Sequence, residues 1–372
     1  MGRRHTALLQ SNGSAVVIGD NRHGECDIPD LEPDLDYVHV STGIAHTVLL
    51  QSDGTARAVG DNRMGQCSIP ALEKNVEYVQ VAAAGNHTVL LQSDGQARAF
   101  GDKHLGISRL PRLEEGVRCT QVSTGLFHTV LLRSDGKVVT VSRESCDFDV
   151  AELPPPVRYV EISAGDFHTV FLHSDGQASA VGDSRFGQCD IPELDEGLEY
   201  TQVSAGGHHS VFLRSDGTAV AIGNNRYGQC DIPPLAKGLR YVQVFAGGFH
   251  TVLLRRDGQA IAIGSNECGE CDIPELEAGS RYVPSCGKYQ QHPSASRVVQ
   301  LIPSPLDCSW QCFSLAGMML LQAAQPANLP LKEVWRILQR DLSTPKQELS
   351  VLLPDGSFLQ HWGSFKQPGF LL

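Results

Sequence analysis

Short apolar runs separated by turn residues fill most of the chain and recur at a constant step. One unit, residues 46–83, reads HTVLLQ, SDG, TARAVG, GDNRMGQ, CSIP and, after a charged loop, YVQVAA. Glycine supplies positive φ, and Asp and Asn side chains bond their own backbone, so this punctuation is typical of strands and turns. No segment of a unit places apolar residues at i, i+3, i+4 and i+7, as a helix would. We predict four short strands per unit.

The length of the repeat follows from a histidine that precedes Thr or Ser. It occurs seven times, at steps of 40 or 41 residues: His5, His46, His87, His128, His168, His209 and His250. Units of about 41 residues with four strands bury their faces only against neighbouring units. We therefore predict an all-β fold over residues 1–287, a seven-bladed β-propeller.

The end of the repeat region predicts how the ring closes. The segment RYVPSCG, residues 281–287, resembles the YVQVSAG that precedes the histidine in other units. It is expected to lie against the first unit. Pro284 interrupts the pattern, because proline cannot donate to a strand ladder and belongs on an edge. An open solenoid is the alternative.

A change of composition marks a second region. Residues 288–305, rich in Pro and Ser, are interpreted as a linker, and residues 306–372 as a small α+β segment. This segment is predicted to contain a hairpin at 313–324, an amphipathic helix at 330–342 and a second hairpin at 349–359.

Two family resemblances follow from these motifs. The signature SAGxxHTVLLxSDGxAxAxGDNxxGQCDIP resembles the regulator of chromosome condensation repeat family, and most of all its compact bacterial branch, which includes a beta-lactamase inhibitor. That resemblance implies a seven-bladed propeller over residues 1–287. The C-terminal order of hairpin, helix, Pro345 and hairpin is similar to the first two-thirds of a ubiquitin-like fold. The chain ends GFLL, without the terminal Gly-Gly that conjugation requires.

Charge and cysteine usage narrow the expected surroundings. The formal net charge of -12 argues against binding to nucleic acid, which requires clustered Lys and Arg. The 11 cysteines form no small disulfide framework, and no apolar run approaches the length of about 18 residues that a membrane span needs. We expect a soluble protein of the cytoplasm, or of the nucleus, that binds no membrane.

The repeated histidines and cysteines are interpreted as structural. Residues 41 positions apart lie in different blades, so they cannot converge on one metal ion. Each histidine is predicted to bond to backbone, and the cysteines of the GQCDIP elements to pack as small apolar groups. Cys268 and Cys271 form one C-x-x-C, but no second ligand pair accompanies it. No metal or other cofactor is expected.

The two residues before each repeated histidine vary, and in a closed ring they would share one face. They gather aromatic and charged groups typical of protein-binding hot spots, and the candidate binding residues are Arg3, Arg4, Phe127, Asp166, Phe167, His208 and Phe249. They could equally be ordinary loop residues packed between blades. The GDNR loops, at 19–22 and 60–63 with variants at 182–185, 223–226 and 264–267, are a second candidate, although their Asp and Arg could simply pair with each other.

These features favour a non-enzymatic protein-interaction scaffold, acting as a monomer and linked to the ubiquitin pathway through its C-terminal segment. It would resemble ligase-associated propellers of the family without the catalytic HECT domain. The family resemblance implies an alternative, guanine-nucleotide exchange on a Ran-like small GTPase. A third hypothesis is an enzyme inhibitor like the bacterial relative. The identity of the protein partner does not follow from the sequence.

Overall fold

The computed structural model describes residues 2–102, 110–142, 149–277 and 279–285, together with the backbone of five strands beyond residue 296. The chain divides into two units, 1–288 and 289–372. No helix in the described ranges is long and apolar enough to cross a membrane.

Seven three-stranded antiparallel sheets make up the first unit. The central strand of each sheet begins at the repeated histidine: β1 His5–Gln10, β4 His46–Gln51, β7 His87–Gln92, β10 His128–Arg133, β13 His168–His173, β16 His209–Arg214 and β19 His250–Arg255. These strands are buried almost throughout, because their β-branched and leucine side chains face a neighbouring sheet on both sides.

Each central strand pairs with a flanking strand on either side. The third strand follows it along the chain: β2 Ala15–Gly19, β5 Ala56–Gly60, β8 Ala97–Gly101, β11 Val138–Ser142, β14 Ala178–Gly182, β17 Ala219–Gly223 and β20 Ala260–Gly264. The first strand precedes it, except in the first sheet: β3 Tyr37–Thr42, β6 Tyr78–Ala84, β9 Cys119–Thr124, β12 Tyr159–Ala164, β15 Tyr200–Ala205, β18 Tyr241–Ala246 and β21 Tyr282–Val283. We call the sheets blades 1 to 7, in the order of their central strands.

The turn between central and third strands explains the SDG motif. In blade 2, Gly54 adopts a φ of 88°, which glycine accepts without strain. The Oδ1 atom of Asp53 accepts the backbone N–H of Thr55 at 2.8 Å, and the N–H of Gln51 donates to the carbonyl of Thr55 at 2.8 Å. This local bonding sets the hairpin register.

The predicted fourth strand does not form in the blades whose GQCDIP-like segment the structure describes, and there this part of the prediction is wrong. In the GQCSIP segment of blade 2, the N–H of Cys67 donates to the Asn62 side chain and that of Ser68 to the carbonyl of Gly65. The segment ends at Pro70, which has no N–H to donate. Local turn bonds therefore use the groups that a fourth strand would need for its ladder.

The ring closes through the two ends of the repeat region, as predicted. In blade 1 the first strand, β21, comes from the far end of the unit: Leu9 pairs with Val283 and Gln10 with Tyr282. The N–H of Gly248 also donates to the carbonyl of Gly2 at 3.0 Å. Seven sheets joined in a closed cycle form a seven-bladed β-propeller.

The hydrophobic core consists of clusters between neighbouring blades. Between blades 2 and 3, Val48 and Leu50 pack with Tyr78, Val81 and Leu90. The last interface, between blades 7 and 1, repeats this arrangement with Leu8, Val252, Leu254 and Tyr282. No blade has a core of its own, which is why the fold requires the repeat.

The second unit contains a five-stranded sheet in the order β24-β23-β22-β25-β26. Its strands are β22 Arg297–Pro303, β23 Trp310–Ser314, β24 Met319–Ala323, β25 Leu349–Leu352 and β26 Phe358–Gln360. The antiparallel pair β25–β26 overlaps the second predicted hairpin, whereas β23, which pairs with β24, begins three residues before the first one. Strand β22 pairs with β25 in parallel. Strand β22 lies within the segment interpreted as a linker, and the predicted helix at 330–342 lies outside the described residues.

Candidate functional site

The seven repeated histidines form a closed circle of hydrogen bonds between blades. Each Nε2 atom lies 2.7–3.3 Å from a Thr or Ser hydroxyl at the second position of the next central strand, in the pairs His5–Thr47, His46–Thr88, His87–Thr129, His128–Thr169, His168–Ser210, His209–Thr251 and His250–Thr6. The sequence predicts that the histidine of every blade bonds to backbone. The partner is instead a side chain of the neighbouring blade. The pattern of a single repeat does not indicate a contact between two repeats.

These hydroxyl groups determine the protonation of the imidazole rings. Among the described residues the hydroxyl donates to a carbonyl in five blades; Thr47, for example, donates to Glu25 at 2.7 Å. Its oxygen must then accept a hydrogen bond from His5, so Nε2 carries the hydrogen of a neutral ring. Burial lowers the pKa of the seven histidines to about 3 or about 4. Neutral, hydrogen-bonded rings of this kind support the structure and are poorly suited to catalysis.

The repeated cysteines are held in the same structural manner. The Sγ atom of Cys67 lies 3.3 Å from the carbonyl oxygen of Asp61, and Cys271 makes the equivalent contact with Ser265 at 3.1 Å. Burial raises the pKa of Cys67 to about 11 and that of Cys271 to about 12. Thiols with such pKa values are weak nucleophiles at neutral pH. Within the described ranges, no group of three His, Cys, Asp or Glu residues could hold a metal ion.

The candidate binding residues lie at the end of the propeller where the central strands begin. His46, at the start of its central strand, pairs with Gly60, at the end of the third strand. The residues before each histidine and the GDNR loops therefore share one surface, which we call the loop face. In blades 5 to 7 the second residue before the histidine donates its N–H to a carbonyl of the next blade; Asp166, for example, donates to Gly206 at 3.0 Å.

Glycine is required where these loops pass each other. A Cβ atom at Gly206 would lie 2.4 Å from the carbonyl oxygen of Gly247 and 2.5 Å from Cε1 of His209. Contacts this short do not occur between real atoms, so a larger residue would force the loops apart. The close approach of the backbones leaves no room for a side chain at Gly206.

Four aromatic rings form a continuous row across blades 4 to 6. Phe127 lies 5.6 Å from Phe167, measured between ring centres, and Phe167 stacks on His208 at 5.0 Å with an interplanar angle of 16°. Phe186, from the GDNR loop of blade 5, contacts His208 edge-on at 5.3 Å. Such distances are typical of favourable aromatic pairs. The structure thus brings together three of the predicted residues.

A second group forms where blade 7 meets blade 1. The guanidinium of Arg3 lies 5.4 Å from the centre of the Phe249 ring, and Tyr227 meets Phe249 edge-on at 5.6 Å. The stem of Arg3 rests on Gly248, where a Cβ atom would lie 2.8 Å from Arg3 Cγ. Arg4 is exposed, and its carbonyl accepts the N–H of Asp20 at 2.9 Å.

The side chain of Asp166 extends from blade 5 towards the loop of blade 6. A Cβ atom on Gly207 would lie 3.3 Å from its Oδ2 atom. Burial raises the pKa of this carboxyl group, while the positive charge of Arg3 lowers it. Because the residues at 207 and 248 are glycines, Asp166 and Arg3 face each other across bare backbone.

Sequence reasoning missed the most exposed members of the loop face. Four large apolar side chains of the described residues are exposed, and three of them follow the Arg of a GDNR loop: Met64 (47%), Phe186 (49%) and Tyr227 (39%). Buried glutamines bind the backbone of these exposed residues. Gln188 Oε1 accepts the N–H of Phe186 at 3.0 Å, and Gln229 Oε1 accepts the N–H of Tyr227 at 2.9 Å. The available signal was an apolar residue in a turn that is otherwise polar.

Comparison with known proteins agrees with this architecture. The model for the Regulator of chromosome condensation (RCC1) repeat matches residues 159–188, 200–229 and 241–270. A comparison with curated proteins finds no match. The three matched segments cover most of blades 5, 6 and 7.

Several solved structures are similar in fold to this chain. Prp20p from Saccharomyces cerevisiae has a TM-score of 0.56 at 18% identity, over 72% of this chain and 82% of that chain. A structure of Kap60 bound to yeast RCC1 (Prp20) gives 0.53 at 20% identity, over 62% and 70%. The CRINKLY WD40 ectodomain of the Arabidopsis thaliana receptor kinase ACR4 gives 0.55 at 17% identity, over 72% and 93%. Identities this low show the fold alone.

Proposed function

We propose that the protein is a non-enzymatic interaction module that binds a protein partner through its loop face. One observation carries the proposal: exposed Met64, Phe186 and Tyr227 all lie on this face. Exposed aromatic residues are typical anchors of protein interfaces, since little side-chain entropy is lost when they are buried. The rows that continue from Phe186 to Phe167 and from Tyr227 to Phe249 extend this surface over several blades.

The chemistry of the repeated residues supports a non-enzymatic role. The histidines that could act as bases are buried, neutral and bonded to hydroxyl groups. The repeated thiols have raised pKa values. A turnover that required a residue of the propeller would contradict this part of the proposal.

Affinity capture with quantitative mass spectrometry tests the binding face. The intact chain is compared with Phe186→Ala plus Tyr227→Ala, and with Phe127→Ala, Phe167→Ala, His208→Ala and Phe249→Ala together. Val242→Ala is the matched control, because this exposed side chain (39%) lies at the opposite end of its strand. We expect a partner that is lost with the loop-face variants and retained by the control. Retention by all variants would place binding elsewhere.

The second candidate function is guanine-nucleotide exchange on a Ran-like GTPase. It is supported by the similarity in fold to Prp20p, whose structure was described with its binding to Gsp1p and histones. The test is release of labelled GDP from a panel of small GTPases. Acceleration by the intact chain would favour exchange, and no acceleration across the panel would remove it. The third candidate, enzyme inhibition as in the compact bacterial branch, would appear as an enzyme among the captured partners.

The proposed link to the ubiquitin pathway depends on the second unit. Two hairpins in one sheet, β23–β24 and β25–β26, support a ubiquitin-like segment over residues 306–372. The test uses the full chain and an immobilised ubiquitin-binding domain. Binding that free ubiquitin displaces would support the link. Absence of binding, or binding that free ubiquitin does not displace, would contradict the link to the ubiquitin pathway.

We further propose that the protein is a monomer of the cytoplasm or nucleus. The ring closes within one chain through β1 and β21, so no blade needs a second copy. All seven cysteines of the described residues are free, as in a reducing compartment. Light scattering after gel filtration measures the mass, and imaging of a tagged chain shows the compartment.

A further inference from the structure

The arginines of the GDNR loops are paired in three blades. Arg22, Arg63 and Arg185 each donate to the Asp two residues earlier, with Nε–Oδ1 distances of 2.8, 2.8 and 2.9 Å. Both ends of each guanidinium are engaged, since a second bond runs from Nη2 to the other carboxylate oxygen. These arginines have their anion within the loop.

Blade 6 differs because Asn224 replaces the Asp. The turn is kept, since the N–H of Arg226 donates to Asn224 Oδ1 at 2.9 Å, as the other arginines do to their Asp. The guanidinium lies instead 5.8 Å from the centre of the Tyr227 ring. Arg226 is exposed, and within the described ranges no carboxylate lies within 4 Å of its side chain. The substitution therefore preserves the loop and releases a positive charge.

Like Arg226, Arg3 and Arg4 of this surface form no ion pair within 4 Å among the described residues. Arg3 also lowers the pKa of the Asp166 carboxyl group. Its guanidinium lies over Phe249, which contacts Tyr227 edge-on. Four side chains thus form one row, Arg226–Tyr227–Phe249–Arg3, with a guanidinium at each end and two aromatic rings between. We call it the arginine–aromatic row.

We propose that the arginine–aromatic row binds an acidic segment of the protein partner. Two carboxylates of that segment would each accept two parallel bonds from Arg226 and Arg3, and an apolar side chain between them would pack on Tyr227 and Phe249. The proposal rests on the proposed function, because it names the chemistry of the partner at the same face.

Charge complementarity selects this occupant. Although the formal net charge of the chain is -12, the guanidinium groups of Arg226 and Arg3 lie on one face with no carboxylate within 4 Å among the described residues, and Asp166 is the carboxylate that acts on Arg3 from farther away. A long phosphate backbone would be repelled by the negative charge of the whole molecule. A short acidic peptide interacts mainly with the charges close to its binding site. The aromatic rings between the arginines also suit a peptide, because a peptide can place an apolar side chain between two acidic ones.

Fluorescence anisotropy tests the proposal with the full chain and a fluorescein-labelled peptide of ten glutamates around one central leucine. The variants are Arg226→Gln, Arg3→Gln and Asn224→Asp. The last supplies the carboxylate that blades 1, 2 and 5 have, so it should engage Arg226 internally. Arg63→Gln is the control, because it removes an exposed arginine that is already paired.

We expect Arg226→Gln, Arg3→Gln and Asn224→Asp each to weaken binding about fivefold or more, and Arg63→Gln less than about twofold. Equal losses with Arg226→Gln and Arg63→Gln would show nonspecific attraction and overturn the proposal. So would absence of binding at millimolar peptide, or tighter binding of a poly-dT oligonucleotide of the same charge. A captured partner lost with Phe186→Ala plus Tyr227→Ala but unaffected by Arg226→Gln would leave the proposed function standing and refute this inference.

Discussion

The Nε2 atom of His250 lies 2.7 Å from the Oγ1 atom of Thr6, although 244 residues separate them. Thr6 also donates to the carbonyl of Glu270 at 2.7 Å. One hydroxyl group therefore joins the first blade to the last through two buried bonds. The equivalent bonds elsewhere join blades that are neighbours in sequence, so this pair is the seam of the ring.

Replacing Thr6 by Val should destabilise the seam. It keeps the shape of the side chain but leaves His250 Nε2–H and the Glu270 carbonyl without a partner, at a cost of about 2–4 kcal/mol in the free energy of unfolding. Urea unfolding measures the change. Thr6→Ser is the control, because Ser210 fills the same role in blade 6. Equal stability of Thr6→Val and Thr6→Ser would refute the role of the hydroxyl.

The histidine circle predicts unfolding in mild acid. Folded histidines have pKa values of about 3 or about 4, against 6.5 for the free side chain. Below pH 6.5 the unfolded chain binds protons that the folded chain does not, so stability falls as pH falls from 6.5 towards 4. Each histidine contributes a slope of up to about 1.4 kcal/mol per pH unit.

Urea unfolding at pH 7.5, 6.5, 5.5 and 4.5 measures this dependence. We expect a slope greater than a single histidine can produce. A midpoint that stays constant between pH 7 and 5 would show that the rings are not held neutral.

Glu161 predicts the opposite pH dependence. At the same position Gln80, Gln121 and Gln202 each donate Nε2–H to a carbonyl of the next blade and accept an N–H from it. Glu161 lacks the amide donor, and burial raises its pKa to about 8. Between pH 4.5 and 8 the unfolded chain loses a proton that the folded chain keeps, so stability falls as pH rises through this window.

Glu161→Gln should remove this penalty. We expect about 1–2 kcal/mol of stabilisation at pH 8 and almost none at pH 4.5, measured by denaturant unfolding. Gln121→Glu is the converse variant and should acquire the same dependence. Stabilisation by Glu161→Gln that did not vary with pH would point to packing rather than to the proton.

Gly206→Ala should distort the loop face. The added methyl group would overlap the Gly247 carbonyl and His209, which costs about 1–3 kcal/mol. Ala84 occupies the equivalent position in blade 3, where the first strand extends to pair Ala84 with His87. Ala84→Gly should therefore cost less than about 1 kcal/mol. Thermal unfolding of both variants checks this, and an unchanged midpoint for Gly206→Ala would contradict the steric argument.

The fold was more predictable than the site because its signal is repeated. Seven His-Thr or His-Ser pairs and seven turn glycines report the same local geometry, and closure followed from the resemblance of RYVPSCG to the other first strands. The fourth strand was wrongly predicted, since CSIP has strand-like composition and its backbone bonds are local. Composition does not record where an N–H group finds its acceptor.

The number of blades, the turns and the face on which Arg3, Phe167, His208 and Phe249 lie could be predicted from the sequence, because these depend on local periodicity. The contacts of each repeated group could be seen only in the folded chain. His250 forms its hydrogen bond with Thr6, and the ring of Phe249 contacts the exposed ring of Tyr227. Both contacts cross a blade boundary, where distance in the chain carries no information about distance in space.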